Sequence, residues 1–288
     1  MARQFSSPDS QARARVRDLI SFFASEGWGP VVLADHIGEL VPHPDKTRVR
    51  EVCSLFAAIP SILRVDDARG TGGIGSFLHM MAREVIAVKE GCKSLAEVAS
   101  VVKSNLVVPG TGSELASVIE RVADEIRPQI QANEARADKL ALKFGRAMKI
   151  IPARERKRPI SWTGPKTGEH YAYEDEFAHI LKCVTKLLGL SEPIRLEDIP
   201  QGILPSRILS LELRRVQFFA DKVHGNDLND NALASLACYV DLTIVDKRTE
   251  EYIRQIKNRS SDIRGIIGKT ASISGFERLP ELLNGIGP

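Results

Sequence analysis

The segment from Gly225 to Arg248 constrains this chain more than any other. It carries four carboxylates, Asp227, Asp230, Asp241 and Asp246, within twenty residues. Between Asp230 and Asp241 lies an almost uncharged run, Asn231 to Tyr239, with helical character. Leu242-Thr-Ile-Val245 is β-branched and apolar, which reads as a buried strand. Asp246 stands at the end of that strand. In open parallel α/β sheets, ligands gather outside the carboxyl ends of the strands. The segment therefore sets one acid at a helix start and another at a strand end. Oxygen donors placed this way suit a hard metal ion. A plainer role suits them equally, with Asp227 or Asp230 as a helix N-cap and Asp246 in the turn that closes the strand.

The rest of the chain alternates helical and strand patterns. A helix is expected over 10–26, with Val16, Leu19, Ile20 and Phe23 on one face and Gly27 as its stop. Pro30 to Leu33 is a short apolar strand, followed by a helical segment in which His36 and Glu39 share a face. Thr47 to Ile59 is an amphipathic helix and Ile62 to Val65 a second strand. Helices are expected over 77–89, 113–150, 174–188, 206–223, 249–257 and 277–283. A last strand is expected over 266–273.

Two glycine-rich stretches need a choice. Gly70-Thr-Gly-Gly-Ile-Gly75 has the G-x-G-x-x-G spacing of a dinucleotide site. Four residues separate it from its strand, and helices follow where a strand with a ribose-binding acid is required. A loop is the expected reading, with no dinucleotide cofactor; a nucleotide-binding enzyme is the weakest alternative. Pro109-Gly-Thr-Gly-Ser-Glu114 lacks the Gly-Lys-Ser/Thr of a phosphate loop, and Ser113 reads as an N-cap. The basic run Arg154, Arg156, Lys157 and Arg158 is either a nucleic-acid contact or a solvated connection.

Bulk properties narrow the class. With 43% hydrophobic and 27% charged residues, the chain has the composition of a soluble globular protein. Aromatics at 6% are too sparse for a stacking platform for single strands, and a net charge of +3 does not diagnose nucleic acid by itself. Four scattered cysteines without a Cys-x-x-Cys pair are expected to be reduced thiols. No run approaches the roughly 20 apolar residues of a membrane span. A cytoplasmic protein with no membrane partner is the expectation.

Two pieces of the chain together resemble the PIN-like nuclease domains of uncharacterised bacterial proteins. One is Gly29 to Leu40, where a strand enters a helix carrying His-x-x-Glu. The other is Asn226 to Asp230, then Tyr239-Val-Asp241, then Val245-Asp246. The resemblance covers about 16–66 and 195–283. It implies an α/β fold: a PIN-like parallel sheet flanked by helices, with a mainly helical insertion in the middle. The divisions are 1–66, 67–194 and 195–288. It also implies one or two Mg²⁺ or Mn²⁺ ions in an acidic cleft and hydrolysis of RNA phosphodiesters. Glu39, Asp230 and Asp246 would be catalytic and hold metal. Asp227 and Asp241 would lie in or beside the coordination shell, and His36 would be either a helper or a core residue. RNA would be bound through Arg154, Arg156, Lys157 and Arg158.

One departure from the family is informative. The family's first strand, which carries its first aspartate, has no counterpart before Pro30. Either that strand is encoded upstream of Met1 or the chain lacks it. The expectation is weak metal binding and low or no nuclease activity for the 288 residues. The alternative is a non-catalytic binding or regulatory protein whose helical insertion is the interaction surface.

Overall fold

A computed structural model describes residues 4, 6–7, 9–40, 46–68, 73–121, 168–219, 230–231 and 233–286. Helix α1 (Ser10–Ser25) starts where the Asp9 carboxylate accepts the Gln11 N–H at 2.9 Å, and it buries Ala12, Val16, Leu19 and Ile20. Gly27 follows with φ of 71°, a left-handed conformation that favours glycine. Strand β1 (Val31–Val32) leads into α2 (Ala34–Leu40) and α3 (Lys46–Ala57), which return the chain to β2 (Ile62–Val65). The β1 and β2 strands are parallel, with Val31 opposite Leu63.

Helices α4 (Phe77–Lys89) and α5 (Leu95–Asn105) come next, then β3 (Val107–Gly110). The β3 strand is antiparallel to β2 and was not expected from the sequence. Its Pro109-Gly110 ending reads as a turn, yet Pro109 sits on an edge, where a missing N–H costs no ladder bond. The helix after it, α6, is described over residues 112–121 and begins earlier than Ser113. Its cap is Thr111, whose hydroxyl accepts the Glu114 N–H while the Glu114 carboxylate accepts the Thr111 N–H. This reciprocal box replaces the expected Ser113 cap. Gly112 lies so close to α3 that a Cβ there would stand 1.7 Å from the Phe56 carbonyl oxygen.

The second half supplies α7 (Gly168–Leu187), α8 (Pro205–Phe219) and a short 3₁₀ turn over Ser235–Cys238. Strand β4 (Leu242–Ile244), helices α9 (Lys247–Arg259) and α10 (Ser261–Ile266), β5 (Lys269–Ala271) and α11 (Leu279–Asn284) complete it. The β4 and β5 strands are parallel, with Thr243 opposite Thr270. The last strand is shorter than the sequence pattern implies, because Ile266 closes a helical turn capped by Ser260.

The architecture is therefore mixed α/β, with two small sheets, ordered β1-β2-β3 and β4-β5, flanked by helices. One apolar core joins them. It gathers Leu33 and Val65 from the first sheet's strand ends, Met80 and Val98 from α4 and α5, Leu209 and Leu213 from α8, and Ile253 from α9. A second cluster lies beneath α1, α3 and α6, and a third packs α4 against α7. Residues 77–110 thus contribute directly to the same core as both ends of the chain. No helix among the described residues is long and apolar enough to cross a membrane.

Candidate functional site

A cleft of about 1170 Å³ opens between the two sheets. One wall is the turn from α1 into β1, with Trp28, Gly29, Pro30 and Val31. The opposite wall is β4 with the first turn of α9. Leu233 to Tyr239 and the apolar side chains of Leu279 and Leu283 contribute to the lining.

Three of the aspartates expected to be functional, Asp230, Asp241 and Asp246, line this cleft, as does His36. Asp230 is positioned by its neighbour. The buried Asn231 and Gln217 side chains exchange two amide hydrogen bonds, of 2.9 and 2.8 Å. The Ser235 hydroxyl also donates to the Asn231 carbonyl at 2.7 Å. This reciprocal pair pins the residue 230–231 turn onto α8. Asp227, Arg154, Arg156, Lys157 and Arg158 lie outside the described residues, and for Glu39 only the helical backbone is described.

Asp246 and Asp241 already have work. Asp246 is the N-cap of α9: one carboxylate oxygen accepts the N–H groups of Arg248 and Thr249 at 2.7 and 3.1 Å, and the other accepts the Thr249 hydroxyl. Partial burial pushes its carboxyl up, but the bonds from Thr249 and Arg248 and the Arg248 charge outweigh this and hold it below the usual range. Thus the residue placed at a strand end by sequence is equally the start of a helix, as its Asp-x-x-Thr-Glu context allows. Asp241 pairs with Lys103 of α5 at 2.9 Å, an exposed pair worth little on its own. His36 accepts the Leu33 N–H through Nδ1 at 3.0 Å. Burial, offset in part by Asp35, holds its ring below the ordinary range. It therefore ends β1 as a neutral acceptor.

The cleft holds a mixed set of charges. Glu26, Asp230, Asp241 and Asp246 face Lys103 and Arg248. Among the described residues, no three His, Cys, Asp or Glu side chains come together as a metal site. The described donors therefore match a divalent ion only in part.

Two features of the neighbourhood escaped sequence reading. The first is Glu84 of α4, fully buried behind the cleft. It accepts hydrogen bonds from the Tyr239 hydroxyl and, at 2.8 Å, from the Ser206 N–H. Burial pushes its carboxyl up to about 7, against the hydrogen bonds from Tyr239 and Ser206 that pull it down. Its other oxygen has no protein partner. A lone acid between Arg83 and Val85 on an apolar helix was the available signal. The second is Asp35, which accepts the Phe77 N–H at 2.7 Å and so ties α2 to the start of α4. The end of the Gly70–Gly75 loop packs on β2. The Gly75 N–H donates to the Val65 carbonyl at 2.7 Å, and a Cβ there would stand 2.4 Å from the Asp66 carbonyl oxygen.

Compared with family models, curated proteins and solved structures, the chain matches none.

Proposed function

We propose that the chain is a ribonuclease-like protein of PIN-like architecture, carrying the acidic part of a divalent-metal site for RNA phosphodiester hydrolysis and working slowly or not at all by itself. The observation that carries this reading is the shared cleft. Asp230, Asp241 and Asp246 come from a helical turn, a strand start and a helix cap, yet all three line it. Carboxylates lining one cleft make its potential more negative, which favours a bound cation. Mg²⁺ or Mn²⁺ with retained waters would supply the Lewis acid and the attacking water of phosphodiester hydrolysis. The chain's own part is to position the acids, Asp230 through Asn231 and Asp246 through the α9 cap.

The decisive experiment combines metal titration with RNA cleavage. Millimolar Mn²⁺ should raise the thermal midpoint by mass action. The rise should shrink in Asp230→Asn and Asp246→Asn, which keep hydrogen bonding but lose charge. Any cleavage of a labelled oligoribonucleotide should fall with it. A midpoint indifferent to Mn²⁺ in the parent protein would sink the reading. It would favour the second reading, a non-catalytic binding protein. That reading already has one specific point in its favour: Asp241 is paired with Lys103, and Asp246 is engaged in a helix cap.

A further inference from the structure

The cleft has a shape that the metal reading does not use. Leu242, Thr243, Ile244 and Val245 all line it. Successive strand residues point to opposite faces of a sheet, so a cleft touched by four in a row runs along the strand's edge. On the other wall Gly29, Pro30 and Val31 are again consecutive. Two sheet edges therefore open onto one space.

The ladder shows which backbone groups point there. The Lys269 N–H donates to the Asp241 carbonyl and the Val245 N–H to the Ala271 carbonyl, at 3.0 and 3.1 Å. Asp241, Thr243 and Val245 thus turn their backbone groups towards β5, and by alternation Leu242 and Ile244 turn theirs away. In β1 the Leu63 N–H donates to the Pro30 carbonyl at 2.9 Å, so Val31 turns its groups away from β2. Among the described residues, neither β4 nor β1 pairs with a strand on that second side. Burying such groups without partners is costly, and an open edge is a template for another strand. Three further observations fit this. Ile244 is 42% exposed, a large apolar side chain left at the edge. The Thr243 hydroxyl oxygen is buried without a partner. The volume exceeds the range of about 300–1000 Å³ typical of small-ligand pockets.

We propose that this cleft is a strand-acceptor site: an extended peptide segment, β-branched and apolar with basic residues at one end, binds there as an added strand on the free edge of β4. Main-chain hydrogen bonds to Leu242 and Ile244 supply the affinity, as in other cases of strand addition. The apolar side chains cover Ile244 and the Leu279–Leu283 face. The basic end answers the charge of the lining, where four carboxylates meet two cations. This follows from the edges and the charge of the lining, and it stands or falls separately from metal binding.

The test uses the full chain and a short fluorescein-labelled peptide, two lysines followed by alternating valine and threonine, read by anisotropy without metal. The peptide should bind, and amide exchange at Val31, Leu242 and Ile244 should slow. Methylating alternate peptide nitrogens should weaken binding by about tenfold, because each lost N–H leaves a carbonyl unpaired. Ile244→Pro should weaken it by about as much while β4 keeps its ladder to β5, since proline is tolerated on an edge. The methylated peptide tests the same pairing from the peptide's side without altering the protein, should that variant not fold. No binding, or equal binding of the methylated peptide, would overturn the proposal. So would displacement of the bound peptide by an oligoribonucleotide with no slowing of exchange at β4. Peptide binding in a protein whose midpoint ignores Mn²⁺ would leave strand acceptance standing and remove the nuclease reading.

Discussion

Tyr239 donates its hydroxyl hydrogen bond to Glu84, a residue 155 positions earlier, inside a site closed to water. Burial raises the Tyr239 hydroxyl well above its ordinary range, and the neighbouring Glu84 adds to the shift. The tyrosine of the Tyr-x-Asp motif is therefore turned inward, while Asp241, two residues on, is exposed.

Glu84 makes stability depend on pH near neutrality. Its ordinary value is 4.5 and its folded value about 7. Between these the folded state binds more protons than the unfolded state, so stability falls as pH rises. The contribution is fully present below 4.5 and is lost as pH passes 7. Its size is on the order of 3 kcal/mol. Urea unfolding at a series of pH values should show this slope in the parent protein. Glu84→Gln, which keeps an acceptor oxygen but cannot ionise, should flatten it. An unchanged slope in the variant would place the titrating group elsewhere.

Glu176 is the acid on which two cations depend. Arg207 and Arg214 reach its two oxygens at 2.8 and 2.6 Å, and Arg207 is almost wholly buried against the Phe177 ring. Burial pushes the Glu176 carboxyl up, but the two guanidinium charges outweigh this and hold it low. Glu176→Ala should cost about 3–5 kcal/mol, because it removes the carboxylate partner of a buried charge. Glu251→Ala breaks the exposed pair with Arg254 and should leave the unfolding midpoint where it was. Equal midpoints for the two variants would contradict the difference in burial.

Asp246→Ala should cost about 1 kcal/mol through loss of the α9 cap, whereas Asp246→Asn should cost far less. The asparagine variant therefore separates capping from charge. If Mn²⁺ stabilises the parent and not this variant, the charge itself is needed. Circular dichroism on both should show equal helix content at room temperature.

Gly112→Ala should be among the most damaging small substitutions. The added carbon meets the backbone carbonyls of Phe56 and Ile59, which cannot swing aside as a side chain would. A loss on the order of 3 kcal/mol is expected in thermal or urea unfolding. A neutral result would mean that α6 can move away from α3.

Much of this arrangement was legible in the chain. The strands at 31–32, 62–65 and 242–244 fall inside apolar β-branched runs, and the helix at 77–89 has the expected bounds. Those signals are local. What escaped reading is set by distant partners. Pro109 and Gly110 join a strand only because β2 presents an edge to them. Glu84 is tolerated in a core only because Ser206 and Tyr239 satisfy one of its oxygens. The aspartates were found by spacing, but spacing does not reveal that Lys103 pairs with Asp241 or that Thr249 occupies Asp246.

The division into two sheets carries a consequence for how the chain folds. Each parallel pair is closed by one local crossover, α2 and α3 in the first and α9 and α10 in the second, so each can form from its own stretch of chain. Joining them requires contacts between remote segments, which come later because loop closure must precede them. Glu84 and Tyr239 sit in that joint. Protonated, the carboxyl enters the core without a charge to desolvate; ionised, it resists. Assembly of the two halves should thus be the step that a rise in pH slows, while each half gathers at an unchanged rate.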